Sequence, residues 1–363
     1  MASRRLTDLF SELARMDALP GKEAPVANYA LSFLKSLGLP ARLDGSAVAA
    51  LSNTSNVICE VGGGGELLLA AHMDTLHHTS ATRHLITADR ITSGGKGPLG
   101  VDGRAGMAAI LYALERAVHS GSPLKPFTIA FTTRGKGNMA GARHLALPPR
   151  IRCAFVFGSE LAPGTYTASS PGIALFSADI LGRSSDAAAD PESGISAISI
   201  AAKALAALSF GRHDPETASN VGTIAGGSGT GTVPLAALVR GQVSVSEAAK
   251  ALPVLDRIKM EFEKCAASAG GAVSFKWFWE FQPYLHAPGS EVLRLAEWAL
   301  RDAGLTPAAV AAPGGSEANV LNARGLAAVS FGIGARAQKP NDEYILLEHL
   351  AKASEIVTHL IKK

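Results

Sequence analysis

His72 and Asp74 close the apolar run Leu67-Leu68-Leu69-Ala70-Ala71, and this His-x-Asp is where the chain could do chemistry. An extended backbone turns alternate side chains to one face, so imidazole and carboxylate point the same way. A neutral imidazole can hold a divalent metal while the carboxylate orients a ligand or a base. Asp102 is the next candidate, in Leu99-Gly100-Val101-Asp102 just before a helical stretch from Met107 to Val118. A carboxylate there serves equally well as an N-cap at the positive end of a helix dipole. His77 and His78 follow the first strand and read as solvated loop side chains.

The elements that must position these residues are legible from pattern. Helices are expected over 5–17 and from about Pro25 to Leu37, each with an apolar face at helical spacing. Asn56–Val61 reads as a strand, and the four glycines at 62–65 read as a hairpin turn into the His72 strand. Phe127–Thr133 and Cys153–Phe157 are buried strands, with a helix expected from about Asn138 to Leu147 between them. Strands alternating with helices argue for an α/β sheet, with its ligand site at the strand ends. From about Gly172 the order becomes β-α-β-β-α-β, a small ferredoxin-like unit. The α/β pattern resumes with a helix from Glu291 to Ala303, the loop Pro313–Asn319, a strand Ala327–Phe331 and a last helix from about Leu347. The domains are therefore 1–171 with 285–363, and an insertion over 172–284.

Composition bounds the function. Of 363 residues, 47% are hydrophobic and 18% charged, which is a globular balance. A net charge of +3 gives no reason to expect nucleic acid as partner. No apolar run has membrane-spanning length, so no membrane partner is expected. The N-terminus has no apolar signal core. Cys59, Cys153 and Cys265 are far apart, fit neither a disulfide framework nor a zinc spacing, and read as buried thiols. The expected location is cytoplasmic.

Several of these stretches, in this order, resemble the M20 family of dizinc peptidases, close to peptidase T. They are His72-Met73-Asp74-Thr75, Leu99–Asp102, Phe131-Thr132 leading to Gly141-Ala142-Arg143, Gly182-Arg183-Ser184-Ser185, Gly314-Gly315-Ser316-Glu317-Ala318-Asn319, and Gly332-Ile333-Gly334 leading to Asp342-Glu343-Tyr344. The resemblance implies an M20-type catalytic-like α/β domain whose ferredoxin-like insertion is a lid and dimerisation domain, hence a homodimer. It also implies a ligand set: a His, a bridging Asp and a second Asp on one zinc, and the bridging Asp, a Glu and a C-terminal His on the other. A Glu beside the Glu ligand would activate the bridging water.

Carried over residue by residue, the pattern is broken. His72, Asp74 and the bridging Asp102 are present. The Glu-Glu pair falls on Gly135-Lys136, the second Asp on Gly158 and the C-terminal His on Lys339. A lid His falls on Asp186 and a lid Asn on Gly231. Glu160 could replace one carboxylate, but every residue from Arg116 to Ser159 is non-acidic, so no offset restores the pair. A dication and an ammonium about 4 Å apart repel by roughly 8 kcal/mol at an effective dielectric near 20. That is a large part of an apparent structural zinc affinity of about 10–16 kcal/mol.

The reading is a dismantled dizinc site in a non-catalytic homologue. Lys136, Lys339 and Asp102 are expected as an ion-paired cluster beside His72 and Asp74, binding a small anionic molecule or a peptide. No cofactor is expected beyond at most one divalent metal, such as zinc, on His72, Asp102 and Glu160. The pocket is expected to include Gly135, Gly158, Asp186, Gly315, Ser316, Glu317 and Asn319. Two rivals stand beside it. One is a single-metal aminopeptidase or tripeptidase. The other is a different chemistry using Lys136 or Lys339 as base or nucleophile.

Overall fold

The strand Leu67–His72 is apolar and buried from Leu68 onward, as a strand covered on both faces requires. A computed structural model describes residues 3–337 and 339–362 of the chain. In it, Leu67–His72 lies between two parallel neighbours, Phe127–Thr132 on one side and Cys153–Ser159 on the other. The chain thus leaves this strand toward one side and later returns on the other. Such a reversal opens a crevice at the C-terminal strand ends, where His72 sits. Beyond Phe127–Thr132 the sheet continues with Val57–Val61 and Ala41–Leu43. On the other side Ala327–Gly332 and Thr165–Ser170 extend it.

The strands Val57–Val61 and Leu67–His72 are not a hairpin. Phe127–Thr132 lies between them, antiparallel to the first and parallel to the second. Gly62, Gly63 and Gly64 at positive φ carry the chain past that intervening strand.

The helix Arg104–His119 packs on Leu67–His72 and Cys153–Ser159, with Arg4–Ala14 and Leu347–Ile361 against it. Its first eleven residues are all buried. Gly106 permits that approach, because a Cβ there would lie 1.9 Å from the Phe157 carbonyl oxygen. The expected helix at 138–147 is only Ala140–Arg143, since Asn138 and Met139 adopt left-handed φ. A small sheet of Tyr344–Leu346, Arg90–Thr92 and Leu85–Ile86 was not anticipated from sequence.

Two compact units are present: Met1–Ser169 with Leu285–Ala312 and Ser316–Lys363, and Ser170–Tyr284 with Pro313–Gly315. The smaller unit is the β-α-β-β-α-β arrangement, with an added strand. Gly172–Leu181, Ala197–Ala207, Thr217–Gly226, Ala236–Val245, Ala251–Ala269 and Ala272–Phe281 follow in order, and Gly211–Asp214 pairs with Thr217–Gly226. Its core places Phe176, Ile180, Val239 and Val243 against Ile200, Leu255 and Phe262. Cys59 and Cys153 are buried thiols of the larger unit, whereas Cys265 is only half-buried.

Candidate functional site

The site is built at the C-terminal end of Leu67–His72, where His72 is 7% exposed and Asp74 fully buried. His72 Nδ1 lies 3.0 Å from Asp74 Oδ1, and His72 Nε2 lies 3.0 Å from Asp102 Oδ1. One imidazole therefore bridges two carboxylates. Burial by itself would lower the His72 pKa, but Asp102 and Asp74 outweigh it and push it up to about 10. At neutral pH His72 is an imidazolium donating from both nitrogens.

Asp102 does not cap the helix that follows it. Gly103 holds that position at φ +73, with no side-chain cap. A Cβ on Gly103 would also lie 2.4 Å from the His72 carbonyl oxygen, so glycine is what lets Asp102 turn toward the imidazole. The other Asp102 oxygen accepts an ion pair from Lys136 Nζ. Burial would raise the Asp102 pKa, yet His72 and Lys136 hold it well below the usual carboxylate range. Asp102 in turn raises the Lys136 pKa against the effect of burial.

Lys136 is delivered by the loop after Phe127–Thr132. Backbone amides of Gly135 and Lys136 each donate to Asp74, both at 2.8 Å. Gly135 is pressed on the imidazole: a Cβ there would lie 2.4 Å from His72 Cβ. Arg134, Asn138 and Met139 all have left-handed φ, each a cost of roughly 1–2 kcal/mol. Glu23 anchors the loop from outside it. This fully buried carboxylate accepts from Arg134 N at 2.9 Å, Gly21 N at 2.7 Å and Ser52 Oγ at 2.6 Å. Sequence reading missed Glu23, because nothing in its neighbours distinguishes it from a surface carboxylate.

The remaining candidates divide. Glu160 is half-buried and lines one cavity of about 130 Å³ with Asp102, Lys136, His77, Thr75 and Glu343. Glu343, also missed from sequence, is held by the amides of Gly100 and Val101. Lys339 is not brought to Asp102. It is exposed and makes no ion pair among the described residues, so the expected cluster holds one lysine, not two. Lys339 lies just before the turn Pro340–Asp342, without a side-chain cap there. Gly158 is close to His72 but open: a Cβ would lie 4.0 Å from Cδ2.

Ser316 and Asn319, both expected in the pocket, form a capping box on the helix Glu317–Ala323. Glu317 is buried with one oxygen on Thr132 Oγ1, and among the described residues its Oε2 has no hydrogen-bond partner. Burial raises its pKa, partly offset by His72 and Thr132. In the smaller unit, Gly315 lies against Phe281, and exposed Asp186 caps a local turn through Ala188 N and Ala189 N. His78 pairs with Asp17 at 3.1 Å. Among the described residues no three His, Cys, Asp or Glu side chains group so as to hold a metal ion, and no helix is long and apolar enough to cross a membrane.

Residues 68–363 match the family described as Peptidase family M20/M25/M40. The uncharacterised protein YqjE of Bacillus subtilis is 27% identical over 370 residues, covering 99% of this chain and 98% of that protein. The crystal structure of aminopeptidase PepT from Bacillus cereus is 27% identical with a TM-score of 0.87, covering 98% of this chain and 97% of that one. A tripeptidase from Staphylococcus aureus is 25% identical with a TM-score of 0.89, covering 100% of this chain and 98% of that one.

Proposed function

The chain belongs to peptidase family M20/M25/M40, and we propose that it is a family member working without a dizinc centre, as a binder of peptides or amino-acid-like molecules. The observation that carries this is the Lys136–Asp102 ion pair. The resemblance assigns Asp102 the bridge between two metals, and here its two oxygens answer an imidazolium and an ammonium. Two positive protein charges thus offset Asp74 and Asp102, the balance a metal would otherwise supply. The donor set does not fit two divalent ions: a second one would face the Lys136 ammonium. Gly135, where the base would stand, has no room for a Cβ beside His72 in this backbone.

Charge also narrows the ligand. Lys136 is already paired, and Glu160 and Glu343 line the same cavity, which disfavours a simple anion. A ligand carrying both an ammonium and a carboxylate or carbonyl suits Glu160 and Lys136 together. About 130 Å³ is smaller than an ordinary ligand pocket, so one residue or terminus enters rather than a whole peptide. A lysine held protonated by Asp102 is a poor base or nucleophile, which weighs against the lysine chemistry. A cytoplasmic location and the absence of a resident metal are parts of this proposal.

The test is a panel of tripeptides with free amino termini, offered to protein supplied with zinc, manganese or cobalt, beside calorimetric titration with a dipeptide. The expected result is no cleavage, with dipeptide binding that weakens in Lys136→Met. Metal-dependent turnover would overturn the proposal, and turnover lost in Glu160→Gln would identify the single-metal aminopeptidase.

A further inference from the structure

We infer that the larger unit carries a second ligand site, remote from His72, which takes a small molecule bearing a multiply charged oxyanion, a phosphate or paired carboxylates. The site is a cavity of about 470 Å³, an ordinary size for a small-molecule pocket. Three segments distant in sequence meet there: the start of Arg4–Ala14, the last turns of Arg104–His119 and the end of Leu347–Ile361. Ala113 and Ala117 are buried beneath it, and their small side chains leave room above them. The helix Arg104–His119 starts beside Gly103, which is pressed against His72, and runs for 16 residues. That length is about 24 Å, so the cavity lies at the opposite end of the helix from the imidazole.

Charge indicates what the cavity takes. Arg5, Arg116 and Lys362 line it, together with the carboxylate of Glu115. Arg5 Nε and Nη2 grip both Glu115 oxygens at 2.8 to 3.2 Å, so those two charges cancel. Arg116 and Lys362 are exposed and make no ion pair among the described residues. Cations at the C-terminal end of a helix commonly answer its dipole, and two helices end here. Each helix end supplies about half a negative charge, roughly one in all. Arg116 and Lys362 bring two full positive charges, so an excess remains for a ligand to meet. Arg116 is also held ready. Its guanidinium lies 5.7 Å from the centre of the Tyr112 ring, and the Tyr112 hydroxyl accepts from Ser3 Oγ at 2.6 Å. A planar guanidinium resting on a fixed ring loses less freedom when its fork engages two oxyanion oxygens. This holds whatever the cavity near Lys136 binds.

Calorimetric titration of the full chain at low salt with pyrophosphate and with malonate tests it. Wild type is expected to bind one equivalent of at least one of them with a Kd below about 1 mM. Tighter pyrophosphate identifies a phosphate ligand, and tighter malonate a dicarboxylate. Arg116→Ala and Lys362→Ala are each expected to weaken that binding about tenfold, the loss of one charge-assisted contact. Lys136→Met, and Lys276→Ala on the exposed face of the smaller unit, are expected to leave it unchanged. Circular dichroism checks that all four variants remain folded. No binding of either anion at about 5 mM, or binding that survives in the Arg116→Ala/Lys362→Ala double variant, would overturn the inference. So would equal weakening in Lys276→Ala, which marks attraction to net charge alone, or loss in Lys136→Met, which places the anion in the cavity near His72.

Discussion

At the scale of residues, the site turns on what His72 is asked to do. A metal-ligating imidazole is neutral and lends a lone pair, whereas this one sits between Asp74 and Asp102 as a double donor. Lys136 completes the balance. Removing that ammonium and restoring a carboxylate should change the affinity of the site for a cation. Lys136→Glu is therefore expected to bind zinc more tightly than wild type in a calorimetric titration; equal affinities would show that Lys136 does not guard the position. Gly135→Ala forces a Cβ to 2.4 Å from His72 Cβ, so the loop or the imidazole must move. A loss of about 1–3 kcal/mol in urea unfolding is expected, as for other overpacked sites. A second histidine carries the pH response. His84 is buried without a hydrogen-bond partner among the described residues, and burial together with nearby Arg15 lowers its pKa to about 4. The unfolded chain takes up this proton near pH 6.5 and the folded chain does not until about pH 4. Stability from this group is thus complete above pH 6.5 and falls by up to about 3 kcal/mol as pH drops through that window. His84→Phe should flatten that acid slope in denaturation measured between pH 7 and 4.

At the scale of elements, the loop that follows Phe127–Thr132 is held in three left-handed residues by contacts outside itself. Glu23 is the chief of these. Glu23→Gln leaves the shape and removes the charge that Arg134 N, Gly21 N and Ser52 Oγ share. A loss of about 1–3 kcal/mol is expected. Faster hydrogen exchange at the Arg134 and Gly21 amides should accompany it, while unchanged exchange would deny Glu23 its anchoring role. Elements with a strong period were legible in the sequence: the strand ending at His72, the helix Arg104–His119, the strand Ala327–Gly332 and the last helix all show in apolar spacing. What failed was decided by distant partners. Four glycines after Val61 looked like a hairpin because local sequence cannot show that Phe127–Thr132 inserts beside them. Asp102 could be read locally as a cap as easily as a site carboxylate, because its partners, His72 and Lys136, lie about thirty residues away in either direction; only the ordered motifs favoured the site.

At the scale of the whole molecule, the succession of α/β segments around a β-α-β-β-α-β insertion was readable from periodicity, and family membership accounts for that order. The site was readable only in part. Ordered motifs located His72, Asp74, Asp102 and Lys136, which the fold brings together. They also pointed to Lys339, which the turn at Pro340–Asp342 leaves in solvent, and to Ser316 and Asn319, which cap a helix. Position in a motif identifies a residue's neighbourhood but not which of its neighbours has claimed its charge. The account rests on Lys136 and His72 supplying the positive charge that metals supply elsewhere in the family's pattern. Zinc content per chain, measured by plasma mass spectrometry after zinc loading and removal of free metal, tests this most directly. The account predicts no tightly held zinc in wild type, and two ions per chain would contradict it.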